Sequence, residues 1–107
     1  MRAVLLSDLL AAARALRAAP CDRRAVLCAR LLREADWADR YVGRLGRLHP
    51  LWGNGTLKAA AEARGRGQAA GLDDPEFRLC LQMVLAALGE KCAAHSCKRS
   101  LHAHMGI

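Results

Sequence analysis

The chain has 107 residues, with 17 basic and 10 acidic side chains and a formal net charge of +7. Hydrophobic residues make up 53% of it, which excludes a charged disordered tail, and the length excludes a two-domain enzyme with its own cofactor fold. Alanine (22) and leucine (18) dominate over four Val, one Ile and one Thr, which argues against an all-β domain and for an all-α one.

Ser7 is placed to cap a first helix over about 5–19, and Pro20 forces its end. Leu5, Leu9, Ala12, Ala13 and Leu16 share its apolar face, with Arg14 and Arg17 on the other side. Asp22 is placed to cap a second helix over about 23–45. Its stripe of Leu27, Leu31, Ala35, Ala38, Val42 and Leu45 advances by threes and fours, a heptad-like seam that Cys28 and Leu32 widen. Arg30, Arg33, Glu34, Arg40 and Arg44 lie off that stripe, and Asp36–Arg40 is an i,i+4 ion pair. Gly46 is a helix stop.

Pro50 and the run Gly53-Asn54-Gly55 mark residues 47–55 as a loop. Thr56 caps a short third helix over about 57–64. Residues 65–72 carry three glycines and read as a flexible linker. Asp74-Pro75 then opens a fourth helix over about 75–94, with Asp as cap and Pro at its first position. Phe77, Cys80, Leu81, Val84, Leu85 and Leu88 form its apolar face. Residues 96–107 read as a disordered or frayed basic tail bearing Cys and His. The expected architecture is a single helical domain over 1–95, a small bundle of three main helices plus one short helix. The second helix's seam is expected to be filled from within the chain, which favours a monomer over a homodimer built on that helix.

Charge is uneven along the chain. Residues 1–66 hold 13 basic and six acidic side chains, whereas residues 67–107 hold four of each. A basic half suits an anionic partner: nucleic acid, an acidic protein or a phosphate-rich surface. The five cysteines are odd in number, and Cys28 and Cys80 occupy apolar helix positions. Both features point to a reducing compartment without a disulfide framework. The start Met1-Arg2-Ala3-Val4-Leu5-Leu6 faintly resembles a secretory signal, but Asp8, Arg14 and Arg17 interrupt it. The longest uncharged stretch, Leu79 to Gly89, is too short to span a bilayer. A cytoplasmic protein with no membrane association is expected.

Two constellations bear on chemistry. The first is the loop His49-Pro50-Leu51-Trp52-Gly53-Asn54-Gly55-Thr56-Leu57. It lacks the GK[ST] ending of a phosphate loop, and no strand precedes it. Tyr41, Arg44, Arg47, His49, Trp52 and Asn54 are the residues expected to face a partner. This stretch resembles a family of small alphaproteobacterial helical proteins, a domain of unknown function. They share a sequence close to H-P-x-[WY]-G-[DN]-G-[ST]-L followed by an Ala-rich helix, here Ala59-Ala60-Ala61. The resemblance extends loosely over about residues 1–90 and implies no activity.

The second constellation is Cys92, His95, Cys97, His102 and His104, spaced C-x2-H-x-C-x4-H-x-H. These residue types suit tetrahedral zinc, but the spacing matches no standard finger or ribbon, so an adventitious cluster is the favoured reading and no metal or cofactor is expected. HExxH, GxSxG and paired-carboxylate patterns are absent from the sequence, which points away from an enzyme. The expectation is an interaction module of adaptor or regulatory type with a protein partner. The alternative is a non-specific nucleic-acid-binding protein that uses the Arg-rich half.

Overall fold

Helices form where capping groups and breakers permit them. The computed structural model describes residues 1–65 and 71–105, with side chains for 1–65 and 71–91. It contains α1 (Leu6–Ala18), α2 (Arg24–Leu45), α3 (Leu57–Glu62) and α4 (Pro75–Met105), with a single 3₁₀ turn, Cys21–Arg23, between α1 and α2. The described residues form no strand, so the chain is all-α. None of the described helices is long and apolar enough to cross a membrane.

Several ends follow the sequence directly. Thr56 Oγ1 accepts the Ala59 N–H at 3.1 Å and caps α3. Asp74 Oδ1 accepts the Glu76 N–H at 3.0 Å ahead of Pro75. α2 stops at Gly46, whose N–H reaches the Val42 carbonyl.

Other ends differ from expectation. Ser7 lies inside the first turn of α1 and does not cap it, because the third helical residue, Asp8, reaches back to the Leu5 N–H at 2.8 Å. Asp22 is taken up in the 3₁₀ turn after Pro20, and α2 begins one residue later than expected without a side-chain cap. α3 ends at Glu62, ahead of Gly65. α4 is described from Pro75 to Met105, past the end near 94 that its apolar face suggests, and no Pro or Gly lies between Gly89 and Gly106. Of the linker expected over 65–72, residues 66–70 lie outside the described residues. Its far end forms a turn in which Asp74 N–H bonds the Gly71 carbonyl.

α1 lies at the centre of the fold, packed against α2, α3 and α4. Its buried face is Ala11, Ala12, Ala13 and Leu16. Small side chains let neighbouring helix backbones come close. Leu31, Leu57, Phe77, Cys80 and Val84 fill the remaining space. Burial pushes the Cys28 and Cys80 thiols up, so both behave as small hydrophobes. The seam of α2 is only partly covered: Leu31, Ala35 and Ala38 are buried, whereas Leu45 is exposed.

Buried charges tie the helix ends together. Besides holding the start of α1, Asp8 accepts the Lys58 N–H at 2.9 Å in the first turn of α3. One carboxylate thus caps two helices. Arg24 does the opposite at the other end of α1. Its guanidinium donates to the carbonyls of Leu16, Arg17 and Ala19 at 2.9–3.3 Å and to Glu76 in the first turn of α4 at 3.2 Å. Arg17 adds pairs to Asp74 at 2.9 Å and Glu76 at 3.1 Å. The Arg17 guanidinium holds the Asp74 carboxyl below its ordinary value.

Replacing Asp8 by Ala removes both caps and leaves two helix N–H groups without acceptors. Urea denaturation should show a loss of about 3 kcal/mol, and Asp8→Asn, which keeps one acceptor, about half of that. An Asp8→Ala variant as stable as the parent would refute the double-cap assignment.

A pH dependence follows as well. Burial favours the neutral form of Asp36, but the Lys91 and Met1 ammonium groups outweigh it and hold this carboxyl, like Asp74, below the ordinary 3.8. Groups depressed in the folded state stabilise it fully above their unfolded value, and this is lost as pH falls from there through the lower folded values. Thermal melts between pH 6 and pH 3 should therefore show a steeper fall for the parent than for Asp36→Asn.

Candidate functional site

α2 has two chemically different faces. Its acids are used inward or sideways. Glu34 takes the Arg64 guanidinium at 2.5 and 2.8 Å. Asp36 pairs with Lys91 and the Met1 amino group, and Asp39 with that amino group at 3.3 Å. The i,i+4 pair expected between Asp36 and Arg40 is absent from these ion pairs, because two ammonium groups compete for the same carboxylate.

Outward, Arg30, Arg33, Trp37, Arg40 and Arg44 recur at steps of three and four and are all exposed. They form one stripe about 21 Å long at helical rise. No ion pair among the described residues uses any of these four arginines. Arg17, Arg24 and Arg64, in contrast, are bound to acids.

The 47–55 loop is built around His49. Its backbone exchanges two hydrogen bonds with Gly53, at 2.8 and 3.1 Å. Its Nδ1 accepts the N–H groups of Leu51 and Trp52 at 3.1 and 3.2 Å, which places the ring proton on Nε2. The ring stacks on Trp52, centroids 4.5 Å apart and 5° from parallel, and meets Tyr41 edge-on at 4.8 Å. Asn54 Oδ1 accepts from the Thr56 N–H at 3.1 Å and hydroxyl at 2.7 Å.

Gly55 seats the loop on the bundle. Its φ is +92°, and a Cβ there would lie 2.6 Å from the Asp39 Cα, so only glycine permits this approach to α2. The Gly55 carbonyl also accepts the Arg2 N–H at 3.0 Å, which fastens the N-terminal segment to the loop.

Trp37, Arg40, Tyr41, Arg44, Leu45 and His49 line an open groove of about 470 Å³. Of the six residues expected to face a partner, Tyr41, Arg44 and His49 thus come together. Trp52 is half-buried against His49 and braces it. Arg47 is exposed but lies outside the groove lining, and Asn54 uses its Oδ1 within the loop. Sequence reasoning missed Trp37, Arg40 and Leu45 as surface partners of Tyr41. The available signal was their spacing, since 37, 40, 41, 44 and 45 share one helical face.

The side chains of Cys92, His95, Cys97, His102 and His104 lie outside the described residues. Among the described residues no three His, Cys, Asp or Glu side chains gather as metal ligands.

Residues 2–88 match the family model described as a domain of unknown function (DUF7742), and the chain belongs to that family. The matched span contains the groove and the loop and ends before Cys92. No curated protein and no solved structure matches the chain.

Replacing His49 by Ala removes the acceptor of two loop N–H groups. Hydrogen exchange at Leu51 and Trp52 should speed up roughly five- to tenfold, the effect of about 1 kcal/mol per bond. His49→Asn, whose Oδ1 can take the place of Nδ1, should restore protection, and unchanged exchange in His49→Ala would show that the ring does not organise the loop.

Proposed function

We propose that the chain is a protein-interaction module, adaptor or regulatory in kind, that presents the outer face of α2 and the His49 loop to a partner protein. The observation that carries this reading is the open groove in which Trp37, Tyr41 and His49 stand beside Arg40 and Arg44. Tryptophan, tyrosine and arginine are the residue types that dominate binding energy at protein interfaces. Trp37 is 58% exposed and Leu45 53%, and Leu48 and Leu51 on the adjoining loop are 66% and 67% exposed. Exposed large apolar side chains on α2 and on the loop that follows it suit a protein surface.

The second reading is binding to nucleic acid without sequence preference. Its support is the alignment of Arg30, Arg33, Arg40 and Arg44 on one exposed face, where they suit a line of phosphates. The exposed leucines favour the protein reading, because a phosphate backbone offers them no apolar contact.

The test is capture from an extract of the protein's own host by immobilised parent and by a Trp37→Ala/Tyr41→Ala variant of unchanged helicity. A specific protein should be held by the parent and reduced about tenfold or more on the variant, the scale of an interface hot spot. Equal capture of every protein by both would refute the assignment. Recovery of nuclease-sensitive material that salt releases would transfer support to the second reading.

A further inference from the structure

We propose that the groove takes an acidic amphipathic helix of the partner, a reading that rests on the interaction function proposed above. The charge pattern selects the sign of the partner. Every wall residue of the groove is aromatic, aliphatic or basic. The neighbouring acids of α2 are engaged elsewhere: Glu34 by Arg64, Asp36 by Lys91 and the Met1 amino group, and Asp39 by that same amino group. Arg40 and Arg44 therefore face outward without counter-ions among the described residues, and a carboxylate-bearing partner would supply them.

The apolar groups select the pattern. Trp37 and Leu45 are eight residues apart on α2, about 12 Å at helical rise. Apolar anchors at i and i+7 or i+8 of a partner helix repeat at the same distance. Asp or Glu one turn away from those anchors would then stand over Arg40 and Arg44. The His49 ring lines the groove and is held by Leu51, Trp52 and Tyr41, so that wall is preformed. An extended run of acids would satisfy the arginines but leave Trp37 and Leu45 uncovered, which is why a two-sided helix fits better than a uniformly acidic tail.

The test uses the full chain and synthetic labelled peptides of about 18 residues, long enough for an amphipathic helix. One peptide carries Leu anchors at i, i+4 and i+7 flanked by Glu, and a second has the same composition scrambled. Fluorescence anisotropy should show the patterned peptide binding about tenfold or more tighter than the scrambled one. Arg40→Glu/Arg44→Glu should weaken it by at least a similar factor. A peptide with Lys in place of Glu should bind that variant and not the parent. This charge swap separates lost complementarity from a misfolded variant, which would bind neither peptide.

Equal affinity for patterned and scrambled peptides would overturn the proposal, as would no binding of the patterned peptide. Displacement of the bound patterned peptide by a lower concentration of single-stranded oligothymidylate would overturn it in favour of nucleic acid. If the peptide fails while capture from extract still depends on Trp37 and Tyr41, the interaction function stands and only the acidic-helix assignment falls.

Discussion

α1 is held at its two ends by buried ions of opposite sign, and the rest of the bundle is arranged around that fact. The Asp8 carboxylate sits at the positive end of the helix and the Arg24 guanidinium at its negative end, each where the helix dipole favours it. Each ion also reaches a second element. Asp8 starts α3 through the Lys58 N–H, and Arg24 contacts Glu76 at the start of α4. A buried charge without partners costs several kcal/mol, on the order of what stabilises a small domain. The positions of α3 and α4 relative to α1 are therefore fixed by polar geometry at the ends as well as by apolar contact between them.

Such end-fixing matters here because the core is made of small groups. Ala11, Ala12, Ala13, Ala35, Ala38, Ala60 and Ala61 are all buried, and Phe77 is the single aromatic side chain in the hydrophobic cluster. Alanine removes little apolar area from water per residue, so its value is close approach rather than burial. Close approach is the theme again at Gly55, where the loop backbone lies against Asp39 with no room for a Cβ. A fold of this kind depends on positions where only a small residue fits.

The helices were largely legible in the sequence, because Pro20, Gly46, Thr56 and Asp74-Pro75 are local signals acting on their own segment. The caps supplied from a distance were not. Ser7 and Asp22 have the right chemistry for capping, yet Asp8 serves two helix starts, one of them fifty residues away, and nothing local encodes that. The candidate site divides in the same way. The loop residues His49 and Trp52 stand out by type and by the glycines around them, and Tyr41 and Arg44 precede them on α2. Trp37 and Arg40 lie off the apolar stripe that signals the buried face of α2, so their spacing carries no core signal. Leu45 belongs to that stripe by spacing but is exposed, and only the packing reveals it.

The outward charge of α2 is a consequence of how its acids are employed within the fold. Glu34, Asp36 and Asp39 are each matched to a cation from another part of the chain: Arg64 after α3, Lys91 of α4 and the amino group of Met1. These pairs dock the N-terminal segment, α3 and α4 onto α2. They also withdraw negative charge from a helix whose arginines at 30, 33, 40 and 44 then have no local counter-ions among the described residues. The same interactions that assemble the bundle thus leave its outer face basic. The aromatic groove sits on that face and is anchored from behind, through Tyr41 against His49 and through Gly55 against Asp39. A surface held this firmly would lose little further freedom on binding the proposed partner, and preorganisation of this kind would let a groove of modest size bind specifically.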